Sequence, residues 1–175
     1  FAVIGAVSLF IYSCKPTANQ GQGESDVEAL AKRNPKPPVS AELVPFVSCL
    51  KEQRKMDNES YDLLVEKYEK CIQSNSKVLS FEKCAYVSGN QFDRISSTFI
   101  NTACLNVFSK QVNFDKCYSL TKNSNAGSAS RQDVAIKCLN LLYGSLDRKQ
   151  CESMIPFLSG PVPEKEWSAK CAKLK

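Results

Sequence analysis

The sequence predicts an all-α protein: four two-helix repeats of about 34 residues over positions 40–175, stacked as a right-handed solenoid-like array with one disulfide per hairpin. Three observations predict it. Eight cysteines stand at 49, 71, 84, 104, 117, 138, 151 and 171, at successive separations of 22, 13, 20, 13, 21, 13 and 20, so alternate members recur every 33 to 35 residues. Side chains keep the same period: SFEKC at 80–84 and NFDKC at 113–117, with a looser SLDRKQC at 145–151, lead into one set of cysteines, while CIQS, CLNV and CLNL begin at the other set, at 71, 104 and 138. Apolar residues are spaced by three and four, and no stretch of useful length alternates as a strand would.

The chain opens with FAVIGAVSLFIY, uncharged over residues 1–12. As a helix these twelve residues rise only about 18 Å, short of a ~30 Å hydrocarbon core, so positions 1–13 are expected to be the apolar part of an export signal whose first residues precede Phe1. A truncated membrane anchor would show the same apolar run. The end of the run, Ile11-Tyr12-Ser13-Cys14, resembles the bacterial lipobox. That resemblance implies cleavage before Cys14, lipidation of its thiol and a membrane partner reached through the lipid. Lys15 stands where an Asp would resemble the inner-membrane retention signal of some Gram-negative lipoproteins. The expected location is therefore extracytoplasmic, outer membrane or periplasm-facing, with plain secretion as the alternative. Residues 14–39 are polar, with Gly and Gln early and Pro35, Pro37 and Pro38 late, the composition of a flexible tether.

Each repeat reads as a short helix followed by a longer one. Ser80 and Asn113 are placed to cap the short helices, with Glu82 and Asp115 in the first turn, where the helix dipole favours acid. The cysteine then lies about one turn inside. In the longer helices Leu64, Tyr68, Cys71 and Ile72 share a stripe, as do Phe92, Ile95, Phe99, Ala103 and Val107, with Ile100 and Cys104 alongside, and Val134, Cys138 and Leu141. Asn90-x-x-Asp93 and Ser130-x-x-Asp133 have capping-box spacing and are read as helix starts. Pro163 suits a first turn. The turns between helices are expected at SGNQ (88–91) and SGPVP (159–163), with KNSNAGSAS (122–130) a longer, polar counterpart, read as a functional insertion or a mobile loop.

Cysteines early in one helix and late in the next fall at the same end of an antiparallel stack. Two regular pairings then remain. Joining 71–84, 104–117 and 138–151 strands Cys49 and Cys171 at opposite ends, whereas joining 49–71, 84–104, 117–138 and 151–171 leaves none over and is preferred. Either requires an oxidising compartment. The array resembles tetratricopeptide and Sel1-like repeat proteins in period and topology over residues 40–175, without the W-x₂-L-G-x₂-Y signature.

Composition excludes several chemistries. There is no His, so Ser-His-Asp and Cys-His catalysis and His-ligated zinc are ruled out. The nearest cysteines are thirteen apart, too far for a zinc pair, and no cofactor or metal is expected. A net charge of +5 gives no compositional support for nucleic-acid binding. Cys84 and Cys117, beside Lys83 and Lys116 near helix starts, would be activated as free thiols, but even parity outside Cys14 assigns them to disulfides. Glu59 with Asp62, Glu66 with Glu69, and Glu164 with Glu166 are the carboxylate pairs that would serve a hydrolase, and each is read as solvated surface. The candidates for partner binding are Trp167 and the cluster Lys51, Arg54 and Lys55. The expected function is a non-catalytic, lipid-anchored binding or scaffold protein that takes an envelope protein, peptide or glycan. The alternatives are a carboxylate hydrolase of cell-wall polymer and a lipid-binding protein like the saposins in broad plan.

Overall fold

The computed structural model describes residues 36–54, 60–123 and 128–175, the last of these from residue 131 with side chains. The expected signal, Cys14 and the tether up to Pro35, together with Lys55, Glu59 and residues 124–127, lie outside the described residues.

Among the described residues there are eight α-helices and no strand: α1 (Val44–Gln53), α2 (Tyr61–Ser74), α3 (Phe81–Gln91), α4 (Arg94–Val107), α5 (Phe114–Asn123), α6 (Ser128–Leu142), α7 (Arg148–Met154) and α8 (Pro161–Cys171). Short 3-10 turns precede α1 and follow α4, α6 and α7. Local chemistry sets most starts. The Ser80 hydroxyl accepts from the Lys83 N–H, and Asn113 Oδ1 accepts from the Lys116 N–H at 3.0 Å. At α7, Asp147 accepts from the Gln150 N–H while the Gln150 side chain accepts from the Asp147 N–H, a complete capping box. Before α8, Gly160 takes φ 93°, a left-handed conformation open to glycine, and Pro161 opens the first turn.

Two expected helix starts are corrected. Asn90 does not begin a helix: α3 continues to Gln91, so 88–91 is helical, and Asp93 caps α4 by accepting from the Ile95 and Ser96 N–H groups. The stretch SGNQ stays helical because Ser88 is buried and locked to the next helix. Its hydroxyl donates to the Ser97 carbonyl at 3.0 Å, and the Ser97 hydroxyl donates to the Ser88 carbonyl at 2.7 Å. In α6 the helix begins at Ser128, so Asp133 stands inside it.

The disulfides are Cys49–Cys71, Cys84–Cys104, Cys117–Cys138 and Cys151–Cys171, with Cα–Cα distances of 5.4–6.0 Å. This is the pairing that leaves none of the eight over. Each joins a helix to its successor: α1 to α2, α3 to α4, α5 to α6, α7 to α8. Four such bonds belong to a chain that folds in an oxidising, extracytoplasmic environment.

The longer helices pack in sequence, α2 on α4 and α4 on α6, while α3 and α5 lie against their own partners, α4 and α6. The core runs through Phe46, Leu50, Tyr68, Ile72, Ile100, Leu105, Leu139 and Met154. Helix α4, held from three sides, buries small polar residues as well: Ser96, Thr98, Asn101 and Thr102. The apolar stripe expected on α4 is buried at Phe92, Ile100, Ala103 and Cys104 and departs from expectation at Ile95. Ile95 is 69% exposed, and the buried edge begins at Ser96, because the Asp93 cap turns that side of the first turn inward.

Candidate functional site

Because α4 packs on α6 while α3 and α5 each stay on their own partner, α3 and α5 flank a groove above α4. Its volume is about 970 Å³, at the upper end of the range for small-ligand sites. Ser97, Thr98 and Asn101 of α4 form the floor. Ala85 and Gly89 line it from α3, Ser119 and Leu120 from α5. A Cβ built on Gly89 would meet nothing within 4 Å, so the groove is open beside it.

One end is closed by an ion pair between the two walls. The Lys116 ammonium of α5 lies 2.5 Å from the Glu82 carboxylate of α3. The hydrogen bond from Lys116 is the largest cause, ahead of Glu82's own backbone N–H and the Ser80 hydroxyl, of a Glu82 pKa lowered to about 2. At the other end Asp93 pairs with Arg54, the residue that follows α1, at 2.6 Å. Burial alone would raise the Asp93 pKa, but the Ser96 N–H and the Arg54 guanidinium outweigh it and the net shift is downward.

The floor contains an anomaly. Asn101 is 4% exposed, and its Oδ1 has no hydrogen-bond partner. Its buried neighbours on α4 are matched: Ser96 donates to Asp93, Thr98 donates to the Arg94 carbonyl, and Thr102 shares a hydrogen bond with the Tyr61 hydroxyl at 2.9 Å. An unmatched buried acceptor costs roughly 1–3 kcal/mol, so its position at the bottom of an open groove calls for an explanation.

A second, shallower hollow of about 360 Å³ lies across α2, α4 and α6, lined by Tyr61, Asp62, Thr102, Asn106, Asp133 and Lys137. Burial raises the pKa of both the Tyr61 phenol and the Asp133 carboxyl there.

The residues expected to bind partners fall elsewhere. Trp167 is 3% exposed, its ring edge-on to Tyr143 at 5.9 Å with the Lys170 ammonium 4.2 Å above it. The expectation of a contact surface there is corrected: the ring fills the core between α8 and the turn after α6. Lys51 is exposed on α1, and Arg54 is committed to Asp93. Three members of the expected carboxylate pairs are engaged by other side chains. Glu66 binds Lys70, Glu69 accepts from Asn106 on α4, and Glu166 binds Lys170. Among the described residues no group of three or more Cys, Asp or Glu is placed to hold a metal ion, and no helix is long and apolar enough to cross a membrane. The groove residues Gly89, Ser97, Asn101 and the Glu82–Lys116 pair were missed by pattern reading. The available signal was the run of polar residues in SSTFINT at 96–102, inside a helix pattern near the middle of the chain.

No protein-family model, curated protein or solved structure matches the chain significantly.

Proposed function

We propose that the chain is an extracytoplasmic, lipid-anchored binding or scaffold protein without catalysis, and that its four disulfide-linked helix pairs are repeats stacked as a short right-handed solenoid. The observation that carries the binding reading is the open groove with an unmatched buried acceptor at its floor. The non-catalytic reading is supported by two of the three carboxylates lining that groove. Glu82 and Asp93 both have lowered pKa values, the reverse of what a general acid in a glycosidase needs. A polar floor likewise favours a peptide, protein or glycan over a lipid chain. The anchor is supported by parity: eight of nine cysteines are bonded to one another, and Cys14 is the one left. The partners of this reading are thus the membrane, through the lipid, and an envelope protein, peptide or glycan in the groove.

Two measurements test it. Radioactive palmitate should label the wild-type chain and not Cys14→Ala; equal labelling of both refutes the anchor. Immobilised protein should retain envelope material saturably, and Gly89→Leu, which fills the groove at a site with room for a side chain, should abolish that retention. Retention that is unaffected by Gly89→Leu removes the groove from the function.

A further inference from the structure

The chemistry of the groove specifies its ligand more narrowly. We infer that it binds an extended peptide of four to five residues, with a basic side chain at the Asp115 end and a carboxylate at the Arg94 end. This rests on the binding reading above and names the occupant of the same site.

The floor presents acceptors. The Ser97 hydroxyl proton is committed to the Ser88 carbonyl at 2.7 Å and the Thr98 hydroxyl proton to the Arg94 carbonyl at 3.1 Å. Both oxygens therefore offer lone pairs to the groove, and Asn101 Oδ1 adds an acceptor with no partner at all. A ligand must bring N–H or O–H donors. A buried carboxamide at mid-floor, with acceptor and donor side by side, complements the N–H and C=O of a peptide backbone. A glycan would also bring donors, but sugar rings bind best against an exposed aromatic face. The two rings that line this groove, Phe81 and Phe92, are buried in the core.

The two ends differ in charge. At the α5 end, the carboxylates of Glu82 and Asp115 face a single ammonium, Lys116, which Glu82 already pairs, leaving Asp115 uncompensated. At the α4 end, Asp93 is paired by Arg54, and Arg94 lies beside it without an ion-pair partner among the described residues. Glu82 opens α3 and Asp93 lies just beyond its last residue, so the ends are separated by about 15 Å at 1.5 Å per residue. An extended chain covers that span in roughly four to five residues. The dipolar groove thus complements a dipolar strand.

The probe is the blocked pentapeptide acetyl-Lys-Ala-Ala-Ala-Asp-amide, titrated into the isotopically labelled, oxidised protein while backbone amide shifts are followed. Saturable shifts are expected at residues 85, 89, 97, 98, 101 and 119. Asn101→Leu, close in volume and without a polar group to satisfy, should stay folded and weaken binding about tenfold, the size of one lost hydrogen bond to a buried group. Asn101→Asp keeps an acceptor without the amide donor and should bind more weakly than wild type but more tightly than Asn101→Leu. Asp115→Asn should weaken the charged peptide and leave acetyl-Gln-Ala-Ala-Ala-Asn-amide unchanged. The inference is overturned if chitotetraose shifts these amides and the peptide does not, if Asn101→Leu binds like wild type, or if millimolar peptide moves none of them. If the peptide fails while envelope retention remains sensitive to Gly89→Leu, the groove still binds and only its assigned occupant is wrong.

Discussion

The second helix pair, α3–α4, and the last, α7–α8, carry disulfides that close loops of the same size, with sequence separations of 20 in each. They differ in almost everything else. Helices α3 and α4 have 11 and 14 residues, and α4 is packed between α2 and α6. Helix α7 has 7 residues and buries Cys151 and Met154. It is held by its capping box, by a hydrogen bond from its first N–H to the carbonyl of Lys175, and by contacts from α6, α8 and the turn between α7 and α8. An isolated helix of that length does not persist in water. The same covalent device therefore does different work in the two places. In the middle it adds to extensive packing that already exists, and at the end it reinforces the packing of a single short helix.

The largest expected effect separates the two directly. In the chain-entropy account each of these disulfides is worth about 3 kcal/mol. Cys84→Ala with Cys104→Ala should lower the main thermal midpoint by about 10 °C, because the loss falls on the central packing. Cys151→Ala with Cys171→Ala should move the main midpoint by less than half of that. Its signature is faster amide exchange confined to 148–171, as the end opens without the rest. Equal midpoint shifts, with exchange uniform over the chain, would show one cooperative unit and erase the contrast.

A smaller effect comes from the caps. Asp93 accepts from two N–H groups of α4 and pairs with Arg54 just after α1, whereas Asp147 acts only within the first turn of α7. Losing a cap costs about 1 kcal/mol in each case. Asp93→Ala should lower the global unfolding free energy by that amount or somewhat more, measured by urea denaturation. Asp147→Ala should change it little and appear instead as exchange at 148–154. A global loss at Asp147 as large as that at Asp93 would mean that α7 is integral to the core.

The same contrast explains what could be read from the sequence. The cysteine spacing was informative because each bond closes within one helix pair, so local order in the chain maps onto proximity. Ser80 and Asn113 were legible as caps for the same reason. SGNQ at 88–91 looked like a turn because Ser, Gly and Asn favour one, but the reciprocal Ser88–Ser97 bonds hold it helical, and those cross between helices. The stripe on α4 missed Ser96, Thr98, Asn101 and Thr102 since a helix enclosed on three sides buries polar and apolar residues alike, which weakens periodicity as a guide. The groove was not legible, because it depends on α3 and α5 remaining on their own partners. Asn101 becomes exceptional only when every neighbouring polar group has been matched and it has not.

The smallest effect concerns the ion pairs at the two places. Glu166 and Lys170 lie on one helix, so Glu166→Gln should cost at most about 0.5 kcal/mol and leave all other elements in place. The Glu82–Lys116 pair joins α3 to α5 across the end of the groove. Its folded-state pKa of about 2 lies below the ordinary 4.5, so the stabilisation is complete above pH 4.5 and is lost as pH falls from there through 2. The Glu82 side chain is 57% exposed, so solvent screening limits the contribution to under about 1 kcal/mol. Stability measured by urea at pH 5 and at pH 2.5 should thus fall further in the wild type than in Glu82→Gln, and the difference should shrink in 1 M salt, where charges are screened within about 3 Å. Identical acid dependence in the two proteins would mean that the bond does not tie the walls of the groove together in solution.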